Sequence, residues 1–466
     1  MIRRRVLLGA LLGALFALGW WVGGGRAASG LYSGLDLFVE VLQAVQTNYV
    51  DAVDTGKLMA GAMRGVAHGL DPWSRYLDPD EAKAARAAAP GAFDGIGAAV
   101  DVRGGWPVVI APVEGSPAWD AGLEAGDVIT KVNGRSMFGL TPDEVGAKLR
   151  GGTSAEVALT VARDDKERDL RLPRRRAGVK NVPYAFIATP GVGYLRIAQF
   201  SSHAGDDVAA ACDTLRRKGA RALLMDLRGT PGGALDEAVA TAAQFLPTGA
   251  TIVSTKGRAS GTDQRFRATR PRPELAWPLA VLVDGGSASA AEVVAGALQD
   301  HDRAVLVGDT TFGLGVVQQI YPLPGTLGAL ELTAARYFTP SGRSIHRDRG
   351  SAFEDDTDDE EGPGGLGPAK PDSARARAFR TEAGRIVRGG GGLAPDVRAA
   401  ASTEPSAERG RPGGDRADLL AAAREALPHD PAYVRALDVV KRASDARGVF
   451  AAAGLKLPGS AGAARR

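Results

Sequence analysis

From Gly191 onward the chain alternates short apolar runs with helical stretches. GVGYLRIAQF, ALLMDLRG, PLAVLVDGG and RAVLVGD read as strands. DDVAAACDTLRRKG, ALDEAVATAAQFL and SAAEVVAGALQD lie between them with apolar residues at helical spacing. A run such as ALLMD has no polar alternation, so both of its faces are expected to be covered. Parallel neighbours need a crossover, and the intervening helices supply one. This half of the chain is therefore expected to form a largely parallel sheet with covering helices. Several strands end in glycine turns, and sites in such sheets lie at the carboxyl ends of the strands.

Ahead of this region the texture differs twice. FVEVLQAVQTNYV and KLMAGAMRGVAHGL carry apolar residues three and four apart, a helical pattern, and LDPWSRYLDPDEA is expected to break and restart a helix. From Phe93 to Arg175 short alternating strands with glycine turns take over, as in FDGIGAAVDV, WPVVIAPV, DVITKVNG and AEVALTVAR. Two short helices, GSPAWDAGL and TPDEVGAKLR, each open on a Ser or Thr at a capping position. The extreme N-terminus, MIRRR before an apolar run from Val6 to Val22, reads as an export signal or an uncleaved membrane anchor. The run falls between a signal core and the roughly 20 residues of a span. Gly25-Arg26-Ala27 suits cleavage; Trp20 and Trp21 suit retention at the interface. The expected location is exported: periplasmic, or anchored in the inner membrane facing the periplasm.

The expected organisation is a signal or anchor at 1–30, a helical segment at 31–90, a β domain at 91–176, and a core at 177–350. An acidic insertion follows at 351–376, closing strands of the core at 377–400, and a helical or disordered tail at 401–466. The insertion, EDDTDDEEGPGGLGPAKP, has little to bury and reads as disordered surface, with a calcium site as the alternative. In the tail AYVRALDVVKRA is a plausible helix. A net charge of +3 over 466 residues gives no support for nucleic-acid binding. The single cysteine, Cys212, excludes an internal disulfide, and no histidine–carboxylate cluster has ligand spacing, so no metal or cofactor is expected.

Three stretches could carry chemistry. GGSASAAEVVAGALQD, 285–300, places small residues where a strand meets a helix N-terminus. Backbone N–H groups there can stabilise an oxyanion, and a serine there can be a nucleophile or an ordinary N-cap. DLRGTPGGAL brings Gly232 and Gly233 to a turn where backbone can approach a ligand closely; the rival reading, a phosphate loop, lacks GxxxxGK[ST]. The third is GDTTFGLGVVQQ.

With this third motif the chain resembles the carboxyl-terminal processing serine peptidases, or tail-specific proteases. LDPWSRYL, GIGAAV, GSPAWDAGLEAGDVITKVNG, DLRGTPGG, SASAAE, ALQD, TFGLGVVQ, RYFTPSGRSIH and FRTEAGRIVRGGGGLAPDV match family motifs in order, from about Leu35 to Arg398. The resemblance implies an α+β multidomain chain: a helical segment, a PDZ domain, and an α/β serine peptidase core of the ClpP/crotonase-like kind. It places the nucleophile at Ser289, with Ser287 as the nearby alternative. Oxyanion donors fall on the N–H of Ala290 and of Gly232 or Gly233, a supporting glutamine on Gln318, and a frequent acidic position on Asp300. It implies binding of protein or peptide C-termini of apolar character by the PDZ loop Gly95, Ile96, Gly97 and Ala98, and leaves room for a regulatory adaptor. The implied function is a cell-envelope serine endopeptidase.

One position departs from the pattern. The family's general base is a lysine, and Leu314 stands there. Leucine fills the same space but has no lone pair to take the serine proton. No lysine occurs between Lys256 and Lys370. His301, His346 and Lys256 are the residues that could replace it. The alternative function is a catalytically impaired relative that binds C-termini as a scaffold or regulator.

Overall fold

The computed structural model describes residues 34–87, 92–140, 142–150, 156–163, 166–178, 180–269, 276–325, 327–347, 377–399, 421 and 423–457. The N-terminal signal or anchor, the acidic insertion and residues 401–420 of the tail lie outside the described residues. The chain divides into a unit ending at Val66 and a unit from Ala67 onward. In the first, a helix over 34–48 is followed by the start of the helix Thr55–His68, and Gln46 Nε2 donates to Thr55 Oγ1 at 2.6 Å.

In the second unit the expected sheet is six-stranded. Ala185–Thr189 pairs antiparallel with Val192–Arg196. Ala222–Asp226, Leu279–Val283, Val305–Gly308 and Val397–Arg398 then follow in parallel. Side chains alternate between two cores, as the twofold strand period requires. Leu223, Met225, Val281 and Val283 face the helices Ala204–Arg217, Leu235–Ala243 and Ala290–Asp300. Leu224, Ala280, Leu282 and Val307 face the other way, against Tyr433, Ala436, Val439 and Val440 of the helix Pro431–Arg442. The helix Pro431–Arg442 is thus a structural layer of the core. Its alanines and valines, ordinary in sequence, cover the second face of a sheet that needs two covers.

A second sheet joins Arg75–Leu77, Ala329–Phe338, Thr251–Gly257 and Gln264–Arg267, with Val316–Pro322 also paired to Ala329–Phe338. LDPWSRYL therefore does more than interrupt a helix. Asp71 Oδ1 accepts from the N–H of Trp73 and Ser74 at 2.8 and 2.7 Å, which makes the turn, and the chain then enters this sheet as an edge strand.

The β domain is one sheet in the order Ala98–Arg103, Trp106–Pro112, Val128–Val132, Glu156–Arg163, Lys166–Pro173, with Arg135–Ser136 paired to the third. Its own core holds Ile96, Val109, Ile129, Val145, Leu149, Leu159 and Leu172. Ala92–Gly95 pairs with Arg175–Gly178 and closes the two ends of the domain together.

Candidate active site

The strand Leu279–Val283 leads into a turn and then the helix Ala290–Asp300. Ser289 sits at the junction with φ 51° and ψ −114°. A β-carbon resists this region, so the strain has to be held by surrounding bonds. A serine on a strained strand-to-helix turn is the geometry that presents a nucleophile. Ser287, by contrast, is fully buried; its hydroxyl donates to Leu227 O at 2.8 Å and accepts from Asp284 N at 3.0 Å. It is a structural residue.

The DLRGTPGG loop is clasped to this turn. Asp284 Oδ1 accepts from the N–H of Gly229 and Gly286 at 2.8 and 2.9 Å, and Ala288 N donates to Thr230 O at 2.9 Å. Gly232, at φ 115°, lies against the serine: a β-carbon there would stand 2.7 Å from Ser289 Cβ and 3.2 Å from Ala290 N. Gly233, at φ 140°, is pressed on Phe200, where a β-carbon would meet Phe200 O at 2.1 Å. The bridge to Phe200 uses the Gly232 carbonyl and the Ala234 N–H, so the Gly233 amide takes no part in it. Ala290 is the first residue of the buried helix, where N–H groups have no intrahelical partner. Gly232 and Ala290 are thus brought together beside Ser289, while Gly233, the next residue of the same turn, is seated on Phe200.

Beneath the loop lies a buried ionic network. Arg228 donates to Asp226 through Nε and Nη2, and to Asp430, which caps the helix Pro431–Arg442. Arg196 Nε donates to Glu114 at 2.9 Å and its Nη1 to Thr230 Oγ1 at 3.0 Å. Tyr194 OH donates to Asp226 Oδ2 at 2.6 Å. Burial by itself would raise the Asp226 carboxyl; the Arg228 pair, with Arg196 and Tyr194, overcomes this and holds it at about 2.

Glu292 is the residue that sequence reasoning missed. It is fully buried and accepts four hydrogen bonds. Oε1 takes the Thr311 hydroxyl and the Gly313 N–H; Oε2 takes the N–H of Leu314 at 2.8 Å and of Ser289 at 3.1 Å. One carboxylate oxygen thus ties the backbone of position 314 to the backbone of the serine. Burial pushes this carboxyl up, and the four donors oppose that. The sequence signal was its place three residues after Ser289, an N3 acid at a helix start. Nothing in the sequence showed that it reaches the 311–314 loop.

Position 314 is therefore beside Ser289, with an apolar side chain. Half-buried Leu314 packs against the cluster of Ile110, Ala288 and Phe312, which Trp73 and Ala99 also border. Gln318 is held by its Nε2 donating to Thr333 Oγ1 at 2.8 Å, and Thr333 N donates to Ser74 Oγ at 3.1 Å. Among the described residues no donor reaches the buried Gln318 Oε1.

The fold separates the replacement bases. His301 caps the far end of the eleven-residue helix that Ser289 begins, about 18 Å away at roughly 1.5 Å per residue. Both of its ring nitrogens are engaged, by Glu382 Oε2 at 2.8 Å and Thr251 O at 2.7 Å. Asp300 lies at the same end, accepting from Arg343 Nη2 at 2.8 Å and Ser341 N at 3.0 Å; it fastens the closing segment and is remote from the serine. Lys256 is exposed with its Nζ over the Phe338 ring at 5.2 Å. The backbone of His346 is brought to the loop that carries Leu314: a β-carbon on Gly315 would lie 2.6 Å from His346 N.

In the β domain Gly95 and Gly97 take φ of 111° and 76°. Ile96 O and Gly97 O accept from Ala118 N and Val113 N, both at 2.8 Å. The strand that follows, Ala98–Arg103, is the edge of its sheet, beside the helix Pro142–Arg150. An edge next to a glycine loop is where a chain end adds as a further strand.

The model of Peptidase family S41 matches residues 191–356, and that of the PDZ domain matches residues 108–163. A carboxy-terminal-processing protease of Bartonella bacilliformis is 40% identical over 320 residues, 67% of this chain and 73% of the relative. The carboxy-terminal processing protease CtpA of Bacillus subtilis is 33% identical over 326 residues, 70% of this chain and 69% of the relative. Among solved structures, the photosystem II D1 C-terminal processing protease superposes with a TM-score of 0.59 at 26% identity, over 81% of this chain and 92% of that one.

Proposed function

The chain belongs to the carboxy-terminal processing proteases of peptidase family S41, and from that premise we propose that it binds apolar C-terminal segments of proteins at the cell envelope through its PDZ domain, with hydrolysis at Ser289 lost or residual. The observation that carries this reading is the pair of bonds on Glu292 Oε2, which sets Leu314 beside Ser289 where an amine would be needed. A hydroxyl at neutral pH is a weak nucleophile without an adjacent base. Removing one member of such a unit typically removes nearly all of its rate. The remaining parts support binding: an open edge strand, a glycine loop, and glycines that admit backbone close to the serine. The cell-envelope location is supported by the basic cluster and apolar run at the N-terminus.

A second reading, slow hydrolysis with His346 as base, is favoured by the closeness of its backbone to Gly315. Its mechanism would be acyl transfer: Ser289 Oγ attacks the carbonyl, the imidazole takes the proton, and the N–H groups at 232–233 and 290 face the oxyanion. One experiment separates the two. An unstructured protein ending in apolar residues is incubated for hours with wild type, Ser289→Ala, Leu314→Lys, His346→Gln, and Ser289→Ala/Leu314→Lys. An inert wild type, with Ser289-dependent cleavage by Leu314→Lys, supports the first reading. Cleavage by wild type that is abolished in both Ser289→Ala and His346→Gln overturns it in favour of the second. Binding is read separately, as anisotropy of a labelled peptide with a free C-terminus against its C-terminal amide.

A further inference from the structure

Leu314 does more than omit a base. Along the strand Trp106–Pro112, Val109 points into the PDZ core. Ile110 points out of it, yet is only 6% exposed. It clusters with two residues of the peptidase core, Ala288 of the turn before Ser289 and Phe312, and Leu314 packs against this cluster, as do Trp73 and the PDZ domain's own Ala99. The contact is close, since a β-carbon on Gly286 would lie 3.3 Å from Ile110 O. Trp73 and Phe312 meet edge to face at 6.5 Å.

We propose that Leu314 is an apolar fastener that holds the PDZ domain down on the nucleophile turn. The physical reason is the side chain itself. A cationic or even neutral amine set among Ile110, Ala288 and Phe312 would bring a polar group needing partners into an apolar seat. Leucine brings only surface that gains from being covered. The same substitution that removes the proton acceptor therefore strengthens the contact between the domains. A second contact, the buried Glu114–Arg196 pair at 2.9 Å, lies just past the carboxyl end of the same strand, four residues beyond Ile110.

The test measures the contact, with no reference to hydrolysis. Ala99→Cys is introduced into the full chain, and the reaction of the new thiol with a maleimide is followed by mass spectrometry. The native Cys212, 1% exposed within the core, reports global opening in the same molecules. Backgrounds are Leu314, Leu314→Met, Leu314→Ala, Leu314→Lys and, from the opposite side, Ile110→Ala. In the Ala and Lys variants, and in Ile110→Ala, the introduced thiol is expected to react on the order of tenfold faster with Cys212 unchanged, and in the Met variant within about twofold of leucine. Equal rates at the introduced thiol in all backgrounds overturn the proposal. So does an acceleration there that only keeps step with Cys212. If Leu314→Lys fails to fold, Leu314→Ala and Ile110→Ala still decide. A negative result here leaves the cleavage reading intact, and cleavage by the wild type would leave the fastener intact.

Discussion

Replacing Glu292 by glutamine should be among the costliest single-atom-scale changes in this protein. The carboxylate accepts from Ser289, Leu314, Gly313 and Thr311, two donors on each oxygen. A glutamine keeps one acceptor oxygen and turns an NH2 group toward the other two donors. Two hydrogen bonds to a charged acceptor are lost, each about 1.5–3 kcal/mol. Relief from burying a charge returns part of this, leaving a net loss of roughly 2–4 kcal/mol. Glu292→Ala leaves all four donors unmade and adds a cavity, so it should cost more than glutamine. The assay is urea unfolding of the full chain at pH 7.5, followed by tryptophan fluorescence and by far-UV dichroism. The pH dependence provides an independent sign. Burial holds the Glu292 carboxyl above its ordinary 4.5, so between 4.5 and the raised value the folded state binds more protons than the unfolded one. Wild-type stability therefore falls as pH rises through that window, while the glutamine variant lacks this slope. The gap between them should be wider near pH 5 than at pH 8. Variants within about 0.5 kcal/mol of wild type would refute the reasoning, because surface substitutions cost that little.

Gly232→Ala would set a methyl 2.7 Å from Ser289 Cβ at a φ of 115°; a loss of about 2–4 kcal/mol in thermal unfolding is expected, and an unchanged midpoint would show that the loop yields. Asp226, held at about 2 against an ordinary 3.8, contributes about 2.5 kcal/mol above pH 4 that is lost as pH falls from 4 toward 2. Asp226→Asn should therefore flatten the acid limb of a stability profile, and an unaltered limb would remove Asp226 as its source. Glu114→Ala leaves Arg196 buried and without its carboxylate, with an expected cost of about 3–5 kcal/mol, read by calorimetry; a cost under about 1 kcal/mol would mean that water reaches the guanidinium.

The parts of this site that were legible in sequence are those whose signal is local. A strand read as ALLMD or LAVLV needs no partner to declare that it is buried on both faces. Gly232 and Gly233 announce a close approach by lacking a side chain. Leu314 could be compared with the lysine of a family pattern because the motif around it is intact. What could not be read depends on contacts between residues far apart in the chain. Glu292 looks like an ordinary acid at a helix start until the 311–314 loop is folded onto it. The helix at 431–442 looks like part of a polar tail until its alanines and valines meet Leu224 and Leu282. His301 and His346 are indistinguishable as candidate bases on paper; eleven residues of helix carry one away, and a bridge between Phe338 and Ser344 carries the other's backbone to Gly315. The same holds for Leu314 itself. In sequence it is only the absence of a base. In the folded chain it packs against the cluster of Ile110, Ala288 and Phe312, so the position that the resemblance gives to the base also borders the contact between the PDZ domain and the core. Restoring a lysine there is consequently two perturbations in one, a gain of an amine and a loss of an apolar contact. Only a pair of variants, Leu314→Lys and Leu314→Ala, can assign a change in cleavage to the first rather than the second.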